Sequence, residues 1–174
     1  VLPWLAIFNT YQRYHMPYPM ISETQKVGYD AERRFMDYMI NVGFDAFKAP
    51  NIEDKKEHWD IHLMTKIDVK YMKKIRREDT HVQDVWTWLE LKSVSGDDGW
   101  IYSSRANGVV FETFTSWVLV PIERLKALID KEVDRNKKVT RRRDAKYKVY
   151  SRTIDEITLV ETTKLKQIGW EMFK

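Results

Sequence analysis

The segment from His58 to Lys74, HWDIHLMTKIDVKYMKK, alternates apolar and polar residues with the period of a β-strand and predicts a hairpin. One face of this hairpin would be apolar, formed by Trp59, Ile61, Leu63, Ile67, Val69 and Tyr71. If residues 63–65 close the hairpin, Asp60 lies directly opposite Asp68, with Cβ atoms about 4.5–5.5 Å apart. Two carboxylates at that distance repel each other, so a hairpin with no function beyond folding would avoid the pair.

A divalent cation between the two carboxylates would remove this repulsion, because oxygen ligands suit Mg²⁺, Mn²⁺ and Ca²⁺. Lys70 projects from the same strand face as Asp68 and could contact a water or a phosphate at the metal. The alternative is a solvated face on which Lys66 and Lys70 neutralise Asp60 and Asp68 as ordinary cross-strand ion pairs. The hairpin alone leaves both interpretations open.

A third carboxylate falls on the apolar stripe of a predicted helix, Glu23–Val42. This helix is expected to begin at a capping box of Ser22 and Gln25 and to end before Gly43. At helical spacing Glu32 lies between Phe35 and Met36, where an amphipathic helix normally carries an apolar residue. A buried and unpaired carboxylate costs on the order of several kcal/mol, so Glu32 needs a partner. That partner is either an Arg or Lys of the sheet, in a structural ion pair, or the metal site of the two Asp residues. Gly28, one turn earlier, is predicted to let another element approach the helix closely.

The order of these residues resembles the PD-(D/E)xK nuclease superfamily, which has a Glu on an early helix, an Asp on a strand and Asp-x-Lys or Glu-x-Lys on the next strand. The stretch GYDAERRFMDYMINVGFDAFKAPN…WDIHL…IDVK is most similar to archaeal-type Holliday-junction resolvases and related phage nucleases. The resemblance covers about residues 28–74, and Trp59 stands where the signature has Pro.

This resemblance implies a restriction-endonuclease-like fold, with a central mixed β-sheet flanked by helices, and Mg²⁺-dependent hydrolysis of DNA phosphodiester bonds. Mn²⁺ is expected to substitute for Mg²⁺. By the same resemblance Asp60 and Asp68 bind the metal, and Glu32 supports the metal site. Lys70 then activates or orients the attacking water.

A second acid-x-Lys pair complicates this assignment. Glu90 and Lys92 are predicted to lie on one face of a strand in VWTWLELKSV. We favour the pair of Asp68 and Lys70, because its hairpin places Asp60 opposite, and we keep Glu90 as a candidate outer metal ligand. His58 and His62 flank Asp60, and in a chain with four His and no Cys we expect them to contact phosphate or solvent rather than a transition metal.

The net charge of +4 is concentrated in two segments. Residues 66–77 hold six Lys and Arg against one Asp, and residues 131–152 hold ten against three acids. Such clusters are typical of proteins that bind the phosphate backbone. We expect contacts to duplex or branched DNA from Lys73, Lys74, Arg76, Arg77, Arg141, Arg142 and Arg143. Within the second segment, KKVTRRRDAKYK could instead be a disordered surface loop.

The chain length fits one nuclease-like domain, residues 23–174, preceded by an aromatic N-terminal arm, residues 1–22. The apolar run of the arm is too short to span a membrane and lacks the basic segment of a signal peptide. We therefore expect no membrane partner and a cytoplasmic protein, in the host cytoplasm if it is phage-encoded; the lack of Cys agrees with this. The arm is predicted to pack on the domain or on a second copy, which would make a homodimer; base stacking by its tyrosines is the alternative.

The remaining pattern predicts the α/β (α+β) class, with helices around mostly antiparallel strands. GFDAF is predicted as a short strand, residues 44–47, KAPNIEDKKE as a loop, SGDDG as a turn, and WIYSSRANGVVFETFTSWVLVP as one or two strands. A second helix begins at Pro121, and the chain is expected to finish with one or two strands and a short helix. The alternative function is a catalytically inactive, nuclease-fold module that binds DNA or a protein in a phage or mobile-element complex.

Overall fold

The computed structural model describes residues 22–41, 46–63 and 65–174. Within them it has five α-helices and ten β-strands, arranged as two mixed sheets. The predicted mixed class is confirmed, whereas the prediction of one central sheet is wrong in its number of sheets. The sheets separate because strand β4 pairs with the strands near the C-terminus rather than with its neighbours in the sequence.

The helices are α1 (Glu23–Asn41), α2 (Asn51–Glu57), α3 (Trp100–Ser103), α4 (Ile122–Glu132) and α5 (Thr162–Ile168). The first sheet has the order β1-β2-β3-β5-β6-β10, with strands Phe47–Lys48, Ile61–His62, Lys66–Lys70, Gly108–Glu112, Ser116–Pro121 and Trp170–Phe173. The second sheet has the order β4-β9-β8-β7, with strands Trp86–Lys92, Glu156–Glu161, Lys148–Tyr150 and Asp134–Val139. Pairing is antiparallel except for β3 with β5 and β7 with β8.

Three local predictions are wrong. The expected loop KAPNIEDKKE contains α2, which follows Pro50 at φ −58°, an angle compatible with the start of a helix. The residues Trp100–Ser103, expected to be strand, form α3 and bury Ile101. The chain also continues after α5 into a further strand, β10, on the edge of the first sheet. Of the strand predicted over residues 44–47, the structure describes only its end, in β1.

Helix α1 begins with the predicted capping box. Gln25 N donates to Ser22 Oγ at 3.3 Å, and Ser22 N donates to Gln25 Oε1 at 2.9 Å. The predicted helix end and its following glycine, residues 42 and 43, lie outside the described residues. The face that includes Phe35 and Met39 is buried against the first sheet, as the helical spacing predicts.

Two apolar clusters occupy the two faces of the first sheet. On one face α1 packs over Ile67, Val69, Val110 and Trp117. The other cluster joins the two sheets and α4, through Leu89, Leu91, Val109, Phe111, Val118, Val120, Leu125, Ile129 and Val160. Strand β3 lies between β2 and β5, so its side chains on opposite faces belong to different environments.

None of the helices within the described ranges has the length and apolar composition of a membrane span. Of the aromatic arm, the structure describes only Ser22.

Candidate active site

The register of the predicted hairpin is confirmed. Ile61 pairs with Ile67 and His62 with Lys66, so the same register brings Asp60 beside Asp68. Asp60 lies just before β2, and its backbone is held from both sides. Its N–H donates to the Ile67 carbonyl at 2.8 Å, and its carbonyl accepts from Ala49 N at 2.7 Å.

The Asp60 carboxylate takes over a backbone role at the point where β2 begins. Its Oδ2 accepts a hydrogen bond from Val69 N–H at 2.6 Å. If β2 began earlier, a backbone carbonyl of β2 would accept this hydrogen bond instead. The carboxylate therefore stays close to the plane of the sheet, where it experiences the charges of both Asp68 and Glu32. Burial, followed by the repulsion of Asp68, raises the pKa of Asp60 to about 9.

Asp68 is buried on β3 and is paired by Lys70. The Lys70 Nζ lies 2.6 Å from Asp68 Oδ1, while Asp68 Oδ2 is buried without a hydrogen bond. Burial opposes the ammonium, but the carboxylates of Asp68 and Asp60 outweigh it and raise the pKa of Lys70. The Lys70 Nζ also lies 4.6 Å from the centre of the Trp100 ring. The lysine of the predicted motif is thus a charged group fixed between a carboxylate and an aromatic ring.

Glu32 is buried as predicted, at 9% exposure, and its partner is a lysine of the sheet. Lys48 Nζ on β1 lies 2.9 Å from Glu32 Oε2, an ion pair that compensates the charge of this otherwise unsatisfied oxygen. Burial, which Lys48 only partly offsets, raises the pKa of Glu32. The predicted structural ion pair between Glu32 and a lysine of the sheet is therefore present. Glu32 also interacts electrostatically with Asp60 and Asp68.

The expected reason for Gly28 is wrong. A methyl group at this position would meet the Tyr71 ring at 3.8 Å, an ordinary van der Waals contact, so the helix is not packed tightly enough there to require glycine.

The alternative in which Lys66 and Lys70 neutralise one Asp each is wrong for Lys66. Lys66 Nζ pairs with Glu57 Oε2 at 2.5 Å, because α2 occupies the space beside the start of β3. Only Lys70 is left for the two Asp residues.

The cluster of Glu32, Asp60 and Asp68 brings three carboxyl groups beside two ammonium groups, those of Lys48 and Lys70. With a pKa of about 9, the Asp60 carboxyl is protonated at neutral pH, so the repulsion within the cluster is relieved by a proton. Among the side chains that the structure describes, no group of three or more His, Asp or Glu is arranged to hold a metal ion. Lys70 contacts Asp68 Oδ1, and Asp60 Oδ2 is bonded to backbone.

The donor chemistry of this carboxylate cluster nevertheless suits a hard cation. Asp68 Oδ2 and Glu32 Oε2 are buried carboxylate oxygens without a hydrogen bond. Glu32 Oε2 already has the Lys48 ammonium at 2.9 Å, so Asp68 Oδ2 is the oxygen whose costly burial a cation would compensate.

Glu90 lies on β4 of the second sheet and faces the same lysines. Burial raises its pKa, and the charges acting against that rise are those of Lys70 and Lys73. The pairing of β4 with β9 shifts register between Glu90 and Lys92. Lys92 is not among the charges that act most strongly on Glu90, whereas Asp68 is contacted directly by Lys70. These contacts favour Asp68 and Lys70 as the functional pair and Glu90 as a neighbour of the cluster.

The two basic segments meet at one groove of about 500 Å³, which we call the basic groove. Its cationic lining residues are Lys73, Lys74, Arg76, Arg77 and Arg142, and its aromatic ones are Tyr71, Trp88 and Trp100. Glu90 also lines it, and a smaller adjoining cavity is lined by Lys70 and Lys73. The basic groove thus continues, through this smaller cavity between β3 and β4, to Lys70, the lysine that contacts Asp68.

Arg141 and Arg143 do not line the basic groove. Both face Asp144, with N–O distances of 3.0 and 3.9 Å. The predicted disordered loop is partly ordered: it contains the end of β7 and a 3₁₀ turn, Arg142–Asp144.

The two histidines beside Asp60 have separate positions. His58 ends α2 with a left-handed backbone, φ 53°, and His62 is exposed on β2. Both histidines are exposed, so the expectation of solvent exposure is confirmed for His58 and His62.

Sequence reasoning missed Lys48, Trp88 and Trp100 as parts of the site. Lys48 follows directly after the predicted first strand, so alternation could have assigned it to a face. Trp88 and Trp100 were indistinguishable from core aromatics, since their position depends on the pairing of the second sheet.

Comparisons with protein-family models, with curated proteins and with solved structures gave no match to this chain.

Proposed function

We propose that this protein is a metal-dependent DNA endonuclease of the PD-(D/E)xK type, with a restriction-endonuclease-like arrangement of α1, β2 and β3. The observation that carries the proposal is the cluster of Glu32, Asp60 and Asp68, in which Glu32 and Asp68 are buried and Asp60 is half-buried. Burial and the repulsion of Asp68 raise the pKa of Asp60 in this cluster to about 9, and two of its carboxylate oxygens lack hydrogen bonds. A cluster of this kind beside a basic groove is what hydrolysis of a phosphodiester requires: ligands for a cation next to a surface for the phosphate backbone.

Asp60 and Asp68 would hold Mg²⁺ or Mn²⁺, with Glu32 supporting them and Glu90 as an outer ligand. The chemistry supplied by the bound cation is a water of lowered pKa and compensation of the charge that develops on the phosphate. Asp60 suits this role because its backbone is fixed on both sides and one carboxylate oxygen is anchored by Val69 N–H. Such anchoring presents the carboxylate in one orientation.

Lys70 would orient the attacking water and stabilise the developing charge. Its raised pKa keeps the ammonium protonated at neutral pH, which favours these two roles over that of general base. The Lys70 ammonium, 2.6 Å from Asp68 Oδ1, would share the Asp68 carboxylate with a bound cation and would give up part of this contact. The group is then available to a water or to a phosphate oxygen.

The basic groove would position the DNA backbone. Lys73, Lys74, Arg76 and Arg77 follow directly from the strand that carries Asp68 and Lys70, and Arg142 joins them from the second sheet. We include a cytoplasmic setting in the proposal; a homodimer formed through residues 1–22 remains a prediction.

The test is cleavage of a panel of labelled DNA, including supercoiled, linear, single-stranded and branched forms, with Mg²⁺ or Mn²⁺. We expect cleavage of at least one form that is lost in EDTA and in the variants Asp68→Ala and Lys70→Ala. Wild-type protein that cleaves no member of the panel with either metal would refute the proposal.

A second candidate is a module with the same fold that binds DNA or a protein without turnover. The specific observation in its favour is that Lys48 and Lys70 already provide charge compensation for Glu32 and Asp68. Calorimetric titration with Mn²⁺ separates the two candidates. The nuclease predicts binding by the wild type that is lost in Asp60→Asn, whereas the inactive module predicts no binding by either protein.

A further inference from the structure

Each aromatic ring that lines the basic groove carries a cation over its face. The pairs are Tyr71 with Lys73 at 5.1 Å, Trp88 with Arg142 at 5.8 Å and Trp100 with Lys70 at 4.6 Å, measured to the ring centre. Rings and cations are therefore paired in one groove, the two kinds of group with which proteins stack bases and bind phosphates.

Trp88 is fixed in its orientation. Its Nε1–H donates to the Lys74 carbonyl at 3.0 Å, and its strand neighbour Leu89 is fully buried. Arg142 lies over Trp88 and equally over Tyr150, at 5.8 Å from each ring, so it can leave one ring and keep the other. The face of the Trp88 ring can therefore be covered either by Arg142 or by a ligand that displaces Arg142.

The size of the basic groove also selects its ligand. About 500 Å³ is the size of a pocket that encloses a small ligand, such as one or two stacked bases with their phosphates. Duplex DNA presents its phosphates on the outside and keeps its bases stacked on one another, so the bases could not reach rings inside the groove. An unpaired strand has free base faces and is narrow enough to enter.

We propose that the basic groove binds an unpaired segment of a DNA strand, with bases on the rings of Trp88, Tyr71 and Trp100 and phosphates on the displaced cations. This inference rests on the proposed function, since it names the form of DNA that would reach the carboxylate cluster. Stacking of a base is worth more than an exposed cation–π contact, and the displaced cation gains a phosphate, so the exchange favours binding. The cleaved bond would then lie in or beside an unpaired segment.

Fluorescence anisotropy in EDTA tests the proposal without any turnover. The probes are labelled 12-nucleotide oligo(dT), a 12-base-pair duplex and a 12-nucleotide strand of abasic sites, which keeps the phosphates and lacks the bases. We expect oligo(dT) to bind at least tenfold more tightly than either the duplex or the abasic strand at the same salt concentration.

The variant Trp88→Leu removes one stacking ring without touching the carboxylate cluster, and it should weaken oligo(dT) binding about tenfold. Trp88→Phe keeps a ring and should remain within threefold of the wild type, even if loss of the indole N–H lowers stability. Trp170→Leu is a matched control. Trp170 is also an exposed ring with a cation over its face, that of Arg124 at 5.4 Å. It lies on β10, at the edge of the first sheet, and does not line the basic groove. This variant should bind oligo(dT) like the wild type.

Tighter binding of the duplex, equal binding of the abasic strand, or equal effects of Trp88→Leu and Trp170→Leu would each overturn the proposal. Because these measurements use no metal, they are independent of cleavage. Binding of oligo(dT) through Trp88 without any cleavage of DNA would refute the nuclease function and support the binding of an unpaired strand in the basic groove. Cleavage without any preference for unpaired strands would support the nuclease function and refute this mode of binding.

Discussion

The raised pKa of Asp60 predicts that the free energy of unfolding falls as the pH rises, the opposite of what most carboxyl groups cause. The variant Asp60→Asn removes the titrating group and keeps an oxygen that can accept the Val69 N–H. Between the unfolded value of 3.8 and the folded value of about 9, the unfolded chain binds fewer protons than the folded chain at this site. Stability conferred by the neutral carboxyl is therefore complete below about pH 4 and is lost as the pH rises towards 9.

The magnitude follows from linkage. Each pH unit within this window lowers the free energy of unfolding by about 1.4 kcal/mol for one proton, so the change from pH 6 to pH 8 is about 3 kcal/mol. In a chain of this size, 1 kcal/mol shifts the melting temperature by about 2–4 °C. Wild-type protein in EDTA is thus expected to melt about 6–12 °C lower at pH 8 than at pH 6.

Differential scanning calorimetry of both proteins in EDTA at pH 6, 7 and 8 measures this effect. We expect Asp60→Asn to lose most of the pH dependence and to melt above the wild type at pH 8. Asp37→Asn, at an exposed carboxylate of α1, is the control and should retain the wild-type slope. Equal slopes in the wild type and Asp60→Asn would refute the assignment of Asp60 as a half-buried carboxyl repelled by Asp68.

Two further variants test the groove and the helix. Arg142→Ala should weaken DNA binding at low salt and lower the slope of log K against log salt concentration by about one unit. Arg141 pairs with Asp144 outside the groove, so Arg141→Ala should change both quantities much less. Equal effects of the two variants would contradict the position of Arg142 in the groove. Gly28→Ala should raise the free energy of unfolding by about 0.5–1 kcal/mol in a urea titration, because alanine favours the helix and its methyl meets Tyr71 at an ordinary distance; a loss of stability would contradict that packing.

Local patterns predicted the part of the site that depends on local geometry. Alternation and an odd loop length determine which residues of a hairpin face each other, so the proximity of Asp60 to Asp68 could be read from the sequence. Helical spacing likewise predicted the burial of Glu32.

What could not be predicted depends on contacts between distant segments. Lys48 reaches Glu32 because β1 pairs with β2, and Lys66 is drawn to Glu57 because a segment expected to be a loop forms α2. Arg142 reaches the basic groove only because the second sheet brings β4 and the segment after β7 together. No local period of the sequence encodes such pairings.

Cleavage by two lysine variants of the same strand tests the central claim most directly. Lys66 and Lys70 lie on one face of β3, but Lys66 pairs with Glu57 while Lys70 pairs with Asp68. On the DNA form that the wild type cleaves fastest with Mg²⁺, we predict that Lys70→Ala lowers the single-turnover rate by about 10²-fold or more, and that Lys66→Ala stays within about threefold of the wild type. Equal rates for the two variants would contradict a catalytic centre built on Asp60, Asp68 and Lys70.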